Sequence, residues 1–275
     1  MERITSRQNA IVKRFRELAR ASAATASSEL LLDGAHLVQE ALATGVAIEI
    51  AAFSERHLAN TRSPLAGLAR DLGSRGGRTV GVTEQVLAAM SPVEHPSGVV
   101  AIARARPSTV EAAFSSGSDP KAAPLVLVLA GLQDPGNVGA IVRSAAACGA
   151  TGIVAIEGSA NPFGWKALRG AMGGTFHLPV AARSTLEEVM RVAPESDVRL
   201  VAAVPRGGTP LPQVDLRAPT AVVLGAEGAG VGEPVLEAAA EFISIPMRAS
   251  VESLNVAVAA ALILYEASRQ RSGQT

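Results

Sequence analysis

At 275 residues, with 48% hydrophobic and 18% charged side chains, the chain is long enough for two cores and too apolar for intrinsic disorder. No apolar run reaches the roughly 18 residues of a membrane span, and MERITSRQNA lacks the core of a signal peptide. Cys148 is the single cysteine, which excludes an internal disulfide and fits a reducing cytoplasm. Net charge is zero, but residues 1–106 hold 13 Lys/Arg against 10 Asp/Glu and the remainder 12 against 15, a split of +3 and −3.

In chain order, residues 4–19 read as a helix burying Ile11, Phe15 and Leu18. Around it Arg3, Arg7, Lys13, Arg14, Arg16 and Arg20 face only Glu2 and Glu17. Such a helix either meets phosphates or simply solvates its basic face. Residues 29–32 suggest a short strand, 35–44 a helix closed by Gly45, and 48–53 a strand. A helix follows at 65–72 before the breaker GSRGG, another at 83–90 with Thr83 as its cap, and a strand at 98–105. The segment 107–123, rich in Pro, Ser, Gly and Ala, reads as a linker with room for one helical turn at 110–114.

From residue 124 onward the alternation is regular. Strands are predicted at 125–130, 152–156, 199–204, 221–225 and 242–246, with a further one at 177–181. Helices are predicted at 137–148, 165–172, 184–193, 233–240 and 254–270. Continuous apolar strands between helices specify a mostly parallel sheet covered on both faces. The domains expected are therefore 1–106, the linker 107–123, and 124–275.

Three stretches join a strand to glycines, polar side chains and a helix, as α/β folds do where they bind ligands. The first is DPGNVGAIVRSA (134–145), in which Pro135 and Gly136 make the turn and Asn137 can cap the helix. Arg143 lies six residues on, among Ile141, Val142 and Ala145. A guanidinium cannot shed its charge, so it serves a site, snorkels to solvent, or pairs with Glu227. The second, VVLGAEGAGVG (222–232), lets backbone approach a ligand, yet it fits neither the dinucleotide fingerprint nor the phosphate loop. A tight structural turn is the plainer account of it.

The third, IPMRASVESLNVAVAAALILYE (245–266), opens a helix with Ser253, Leu254 and Asn255. One cap suffices, which leaves the second polar group for other work. The apolar run 256–264 must be covered all round, either inside the domain or at a subunit interface. His36, His57, His95 and His177 lack metal spacing, so no metal is expected. Nor is there a GxSxG elbow for nucleophilic catalysis.

Taken together the three stretches resemble the SpoU (TrmH) branch of the SPOUT RNA methyltransferases. ITSRQNAIVKRFREL (4–18), LLLDGAHLVQEAL (30–42) and PSGVVAIAR (96–104) are similar to the accessory domain of the ribosomal-RNA members, itself like a small RNA-binding ribosomal protein. The resemblance implies a C-terminal trefoil knot holding S-adenosylmethionine, chiefly through backbone around Leu224, Gly225, Ile245, Met247 and Leu254. It implies a homodimer and places Asn137, Arg143, Glu227, Ser253 and Asn255 at the polar catalytic positions. Arg169 falls on a recurrent arginine read as an RNA contact, alongside Arg7, Lys13 and Arg14. Ala226, Ala249 and Ala171 depart from the usual residues, which affects loop geometry and substrate detail.

The activity implied is methyl transfer from S-adenosylmethionine to a ribose 2′-hydroxyl of RNA, with 23S ribosomal RNA the first expectation. Alternatives are a transfer-RNA substrate or a non-catalytic RNA-binding protein of the same fold. An unrelated nucleotide-binding oxidoreductase would need the missing fingerprint. No membrane partner is expected.

Overall fold

The apolar strands sort into two separate sheets in the computed structural model, which describes residues 1–20, 28–116, 122–226, 228 and 230–272. By contact the chain divides into one unit of Met1–Arg106 with Phe163–Phe176, and another of Pro107–Pro162 with His177–Thr275.

The first unit is built from β1 (Glu2–Ile4), α1 (Ala10–Arg20), β2 (Glu29–Asp33), α2 (Ala35–Ala43), β3 (Ala47–Ser54), α3 (Glu55–Leu58), α4 (Pro64–Ser74), β4 (Arg78–Val82), α5 (Glu84–Met90) and β5 (Val99–Arg104). Its five strands run in the order β1-β4-β3-β5-β2. β1 and β3 pair parallel to β4, while β5 lies antiparallel to β3 and β2. The helix expected over 4–19 begins only at Ala10, because Asn9 accepts a hydrogen bond from the Ile11 backbone N–H at 2.8 Å and so starts a new turn. Thr83 does cap α5, as its side chain accepts from Val86. Phe15 and Phe53 are fully buried on opposite faces of this sheet, each contributing on the order of 2–3 kcal/mol of apolar transfer energy.

Charge organises one edge of this unit. Arg14 donates to Glu29 at 2.5 Å and to Glu49 at 2.6 Å, and Arg104 donates to Glu49 at 2.8 Å. Hydrogen bonds from the two guanidiniums, Arg14 first, pull the Glu49 carboxyl down to about 2.

The second unit starts with α6 (Val110–Ala113), then β6 (Leu125–Ala130), α7 (Pro135–Ala147), β7 (Gly152–Ile156), β8 (Val180–Ser184), α9 (Leu186–Glu195), β9 (Arg199–Ala203), β10 (Thr209–Pro210), β11 (Thr220–Gly225), α10 (Glu233–Ala238), β12 (Glu241–Ser244) and α11 (Val256–Ser272). The intervening α8 (Trp165–Ala171) belongs to the first unit, where Leu168 joins the core with Phe163 and Phe176 at its margin. All seven strands are parallel, in the order β10-β12-β9-β11-β6-β7-β8. On β6, Val126 and Val128 enter a core shared with α6, α9 and α10. Leu125, Leu127 and Leu129 point to the other face and are equally buried, on the side where α7 packs against α11. Both faces are covered, as parallel sheets require.

Residues 110–114, expected inside a linker, form part of that core. Val110, Ala113 and Phe114 are buried, and a side chain at Gly152 would collide with the backbone of Ala113. The end of α11 is fixed by Arg271. Its guanidinium donates to the carbonyls of Leu216 (2.8 Å), Ala123 (2.5 Å), Pro124 (3.1 Å) and Ala218 (3.1 Å). Burial pushes its pKa down, and peptide dipoles take the place of a carboxylate partner. Among the described residues, no helix is long and apolar enough to cross a membrane.

Candidate active site

At the carboxyl ends of β9, β11 and β12 lies a cavity of about 450 Å³. Its floor is Ala203, Leu224, Gly225, Ile243 and Ser244. Ile245, Met247 and residues 252–254 enclose it from the loop after β12, and Val256, Ala259 and Ile263 of α11 complete the wall. Crevices at the carboxyl edge of parallel sheets bind ligands in many α/β folds, and the volume suits a nucleoside-sized molecule. Leu224, Gly225, Ile245, Met247 and Leu254, named from the sequence, all line this one cavity.

The loop after β11 explains how the cavity stays open. Ala226 and Gly230 exchange backbone hydrogen bonds at 3.0 and 2.9 Å, folding the chain back on itself. A β-carbon on Gly225 would come within 3.0 Å of Gly230 and Val231 backbone atoms, a distance real side chains do not adopt. Glycine here is a steric requirement. Glu227 lies outside the described residues.

The polar residues gather where α7 and α11 begin. Asn255 caps α11, its Oδ1 accepting from the N–H of Ala257 (2.9 Å) and Val258 (3.3 Å). Its Nδ2 donates to Oδ1 of Asn137 at 3.1 Å, which joins residues 118 apart in sequence. Because Asn255 is the cap, the hydroxyl of Ser253 is left to the cavity it lines. Asn137 is not a cap, contrary to the sequence expectation. Asp134 takes that role, accepting from Gly136 at 2.8 Å, with Pro135 as the first helical residue. An Asp–Pro pair is the stronger start signal, and it moves Asn137 into the helix's first turn.

Arg143 is exposed on α7 while Ile141, Val142 and Ala145 beside it are buried. It makes no ion pair or hydrogen bond among the described residues, and it is not among the side chains lining this chain's cavity. An exposed guanidinium thus stands on the helix whose first turn carries Asn137.

The basic residues of the first unit divide. Arg7 and Lys13 are exposed. Arg14 pairs with Glu29 and Glu49 while its side chain stays about one-third exposed, at 32%. Arg169 is half-exposed and pairs at 3.4 Å with the nearly buried Asp33. Burial raises the Asp33 carboxyl, opposed by a hydrogen bond from Ser91 and by the charge of Arg169. The sequence reading passed over the residues lining the cavity from the end of β9, namely Ala203, Val204 and Pro205. Their signal was a strand running into PRGG, which marks a carboxyl edge as clearly as the glycine loop does.

Comparison with known proteins fits this geometry. Residues 124–265 match the SpoU rRNA Methylase family, and residues 9–101 match the MRM3-like substrate binding domain. The chain is 37% identical to an uncharacterised tRNA/rRNA methyltransferase of Synechocystis, over 98% of this chain and 94% of that one. It is 32% identical to the 23S rRNA (guanosine(2553)-2'-O)-methyltransferase RlmP of Bacillus subtilis, over 96% and 98%. An AdoMet-bound rRNA methyltransferase from Sinorhizobium meliloti superposes with a TM-score of 0.84 at 28% identity, covering 98% of this chain and 97% of that one. With its all-parallel sheet, its match to a substrate-binding domain and these relatives, the chain belongs to the SpoU rRNA methylase family, the SPOUT-fold RNA methyltransferases.

Proposed function

We propose that the cavity holds S-adenosylmethionine and that the protein methylates a ribose 2′-hydroxyl of large-subunit ribosomal RNA in the cytoplasm. The observation that carries this reading is the convergence of Leu224, Gly225, Ile245, Met247 and Leu254 on one cavity beside the Asn137–Asn255 pair. The site fits the cofactor. An apolar wall suits an adenine ring, backbone carbonyls and N–H groups at the strand ends suit its polar edge, and Glu252 is the one charged side chain among the described lining residues. Bound there, the cofactor supplies an electrophilic methyl group. We place the knot in the segments spanning 222–268.

The remaining work falls to the chain's own residues. Asn137, Asn255 and Ser253 offer amide and hydroxyl groups to hold a ribose, so that its 2′-oxygen is aligned for in-line attack. The hydroxyl must lose its proton as the new bond forms. A guanidinium with pKa above about 12 is a poor base, so Arg143 binds the neighbouring phosphate and polarises the hydroxyl, and the proton passes to phosphate or water. Glu227 is assigned to orienting that arginine or its loop. We assign Arg7, Lys13, Arg14 and Arg169 to phosphates elsewhere on the RNA.

Arg143 does not line its own chain's cavity, so we assign it to the cavity of a second copy. Val258, Leu262 and Tyr265 form a stripe along α11 that is 50%, 41% and 64% exposed. Their spacing of four and three residues puts them on one face of the helix that packs against α7. Leu262→Glu should give a monomer by light scattering and lose methyl transfer. A dimeric Leu262→Glu protein would count against this interface.

The function itself is tested by incubating the protein with methyl-labelled S-adenosylmethionine and unmodified 23S RNA or transfer RNA, then mapping the label. Label on a 23S ribose oxygen is expected. Label confined to transfer RNA, or to a base, would overturn the assignment.

A further inference from the structure

Two loops line the cavity from separate parts of the chain. Val204 and Pro205 come from the loop after β9, and Met247 with Glu252 and Ser253 from the loop after β12. The second has little of its own to hold it. Residues 248–253 are exposed and form neither helix nor strand, and their one internal backbone bond runs from the Val251 N–H to the Arg248 carbonyl at 3.0 Å.

Arg206 follows Pro205 directly and reaches across. Its Nη2 donates to the carbonyl of Ala249 at 3.2 Å and to that of Val251 at 3.1 Å. Both acceptors sit just before the cavity-lining stretch that begins at Glu252. Among the described residues these are the bonds that tie 248–253 to the rest of the unit. Arginine suits the task because its charge is permanent, which strengthens a bond to a neutral carbonyl, and because one terminal nitrogen carries two N–H groups, one for each acceptor. Arg206 itself does not line the cavity.

We propose that Arg206 is a positioning residue, a tie across the mouth of the cavity that sets how fast S-adenosylmethionine leaves. This rests on the cofactor reading above. With the tie intact, the loop bearing Met247 and Glu252 is held in the shape that closes on the ligand. Without it, the loop must be ordered anew at each binding event, and the bound state loses lifetime rather than chemistry.

The test compares wild type, Arg206→Ala and Arg206→Lys by calorimetry and by stopped-flow release of S-adenosylmethionine. Both variants are expected to release the cofactor about five- to tenfold faster, the loss of a pair of charge-assisted bonds at an exposed site. KM for the cofactor should rise while kcat and the ligand-free melting temperature stay near wild type. Lysine keeps the charge, but its shorter stem leaves the ammonium short of the Nη2 position, so it should resemble alanine. Release rates unchanged in both variants, with normal wild-type binding, would overturn the tie alone. So would a loss of RNA affinity in the alanine variant that lysine restores, since that marks a phosphate contact. Wild-type protein that fails to bind S-adenosylmethionine would overturn the cofactor reading and the tie with it.

Discussion

Arg143→Ala is expected to slow methyl transfer by about 10²- to 10⁴-fold, the range lost when a positioned charge or proton-transfer partner is removed from a reacting group. Folding should be untouched, because the side chain is exposed and unpaired among the described residues. Cofactor binding should also be untouched, because Arg143 does not line the cavity. Single-turnover rates on 23S RNA, with calorimetry as the control, measure the effect. Arg143→Lys should be nearly as slow, since lysine cannot grip a phosphate and a hydroxyl with one planar fork. Near-normal turnover in the lysine variant would rule out the positioning role. Mixing subunits separates the two geometries. If Arg143 acts on a second copy's cavity, dimers of Arg143→Ala with Asn255→Ala regain one intact site and part of the activity. If it acts on its own, the mixture stays dead.

The second large effect is expected at Gly225. Gly225→Ala places a methyl group against the backbone of Gly230 and Val231. Flexible side chains can rotate away from such an intruder, whereas this neighbour is a hydrogen-bonded hairpin between Ala226 and Gly230. The hairpin must open or β11 must shift out of register with β6, where Gly225 stands opposite Ala130. Overpacking of this kind costs about 1–3 kcal/mol, and the upper end applies where backbone meets backbone. A urea titration should show the lowered midpoint, and calorimetry should show loss of S-adenosylmethionine binding. A variant that binds the cofactor as wild type does would mean the hairpin is not part of the cavity's frame.

Much of this was legible beforehand for identifiable reasons. The large sheet's strands are uninterrupted apolar runs, and parallel pairing buries both faces, so LVLVLA and AVVLG declared themselves. Thr83 was readable as a cap because its side chain competes for a local N–H. β1 and β4 were missed. Glu-Arg-Ile is too short to show alternation, and Arg78–Val82 hides behind the GSRGG turn. Neither has a local signature, since β1 exists through pairing with β4, and β4 through pairing with β1 on one side and β3 on the other. The same logic explains α8. Its apolar face is plain in the sequence, but nothing local tells Leu168 which of two cores to join. At the site, residue types were legible and relationships were not. That Asn255 would donate to Asn137, or Arg206 to Ala249, depends on how distant segments cross.

The strand order carries a consequence for synthesis. Among the described residues β12 is the last strand to be made, yet it occupies an interior slot between β10 and β9. Until Ser244 emerges from the ribosome, β9 presents a bare amide and carbonyl row on its open side, and Thr209–Pro210 has no strand to pair with. The nascent protein therefore cannot finish this sheet by adding strands outward from a seed, and completion waits on a late insertion. A chaperone that shields open strand edges would act in that interval, and a stalled ribosome would prolong the hazard.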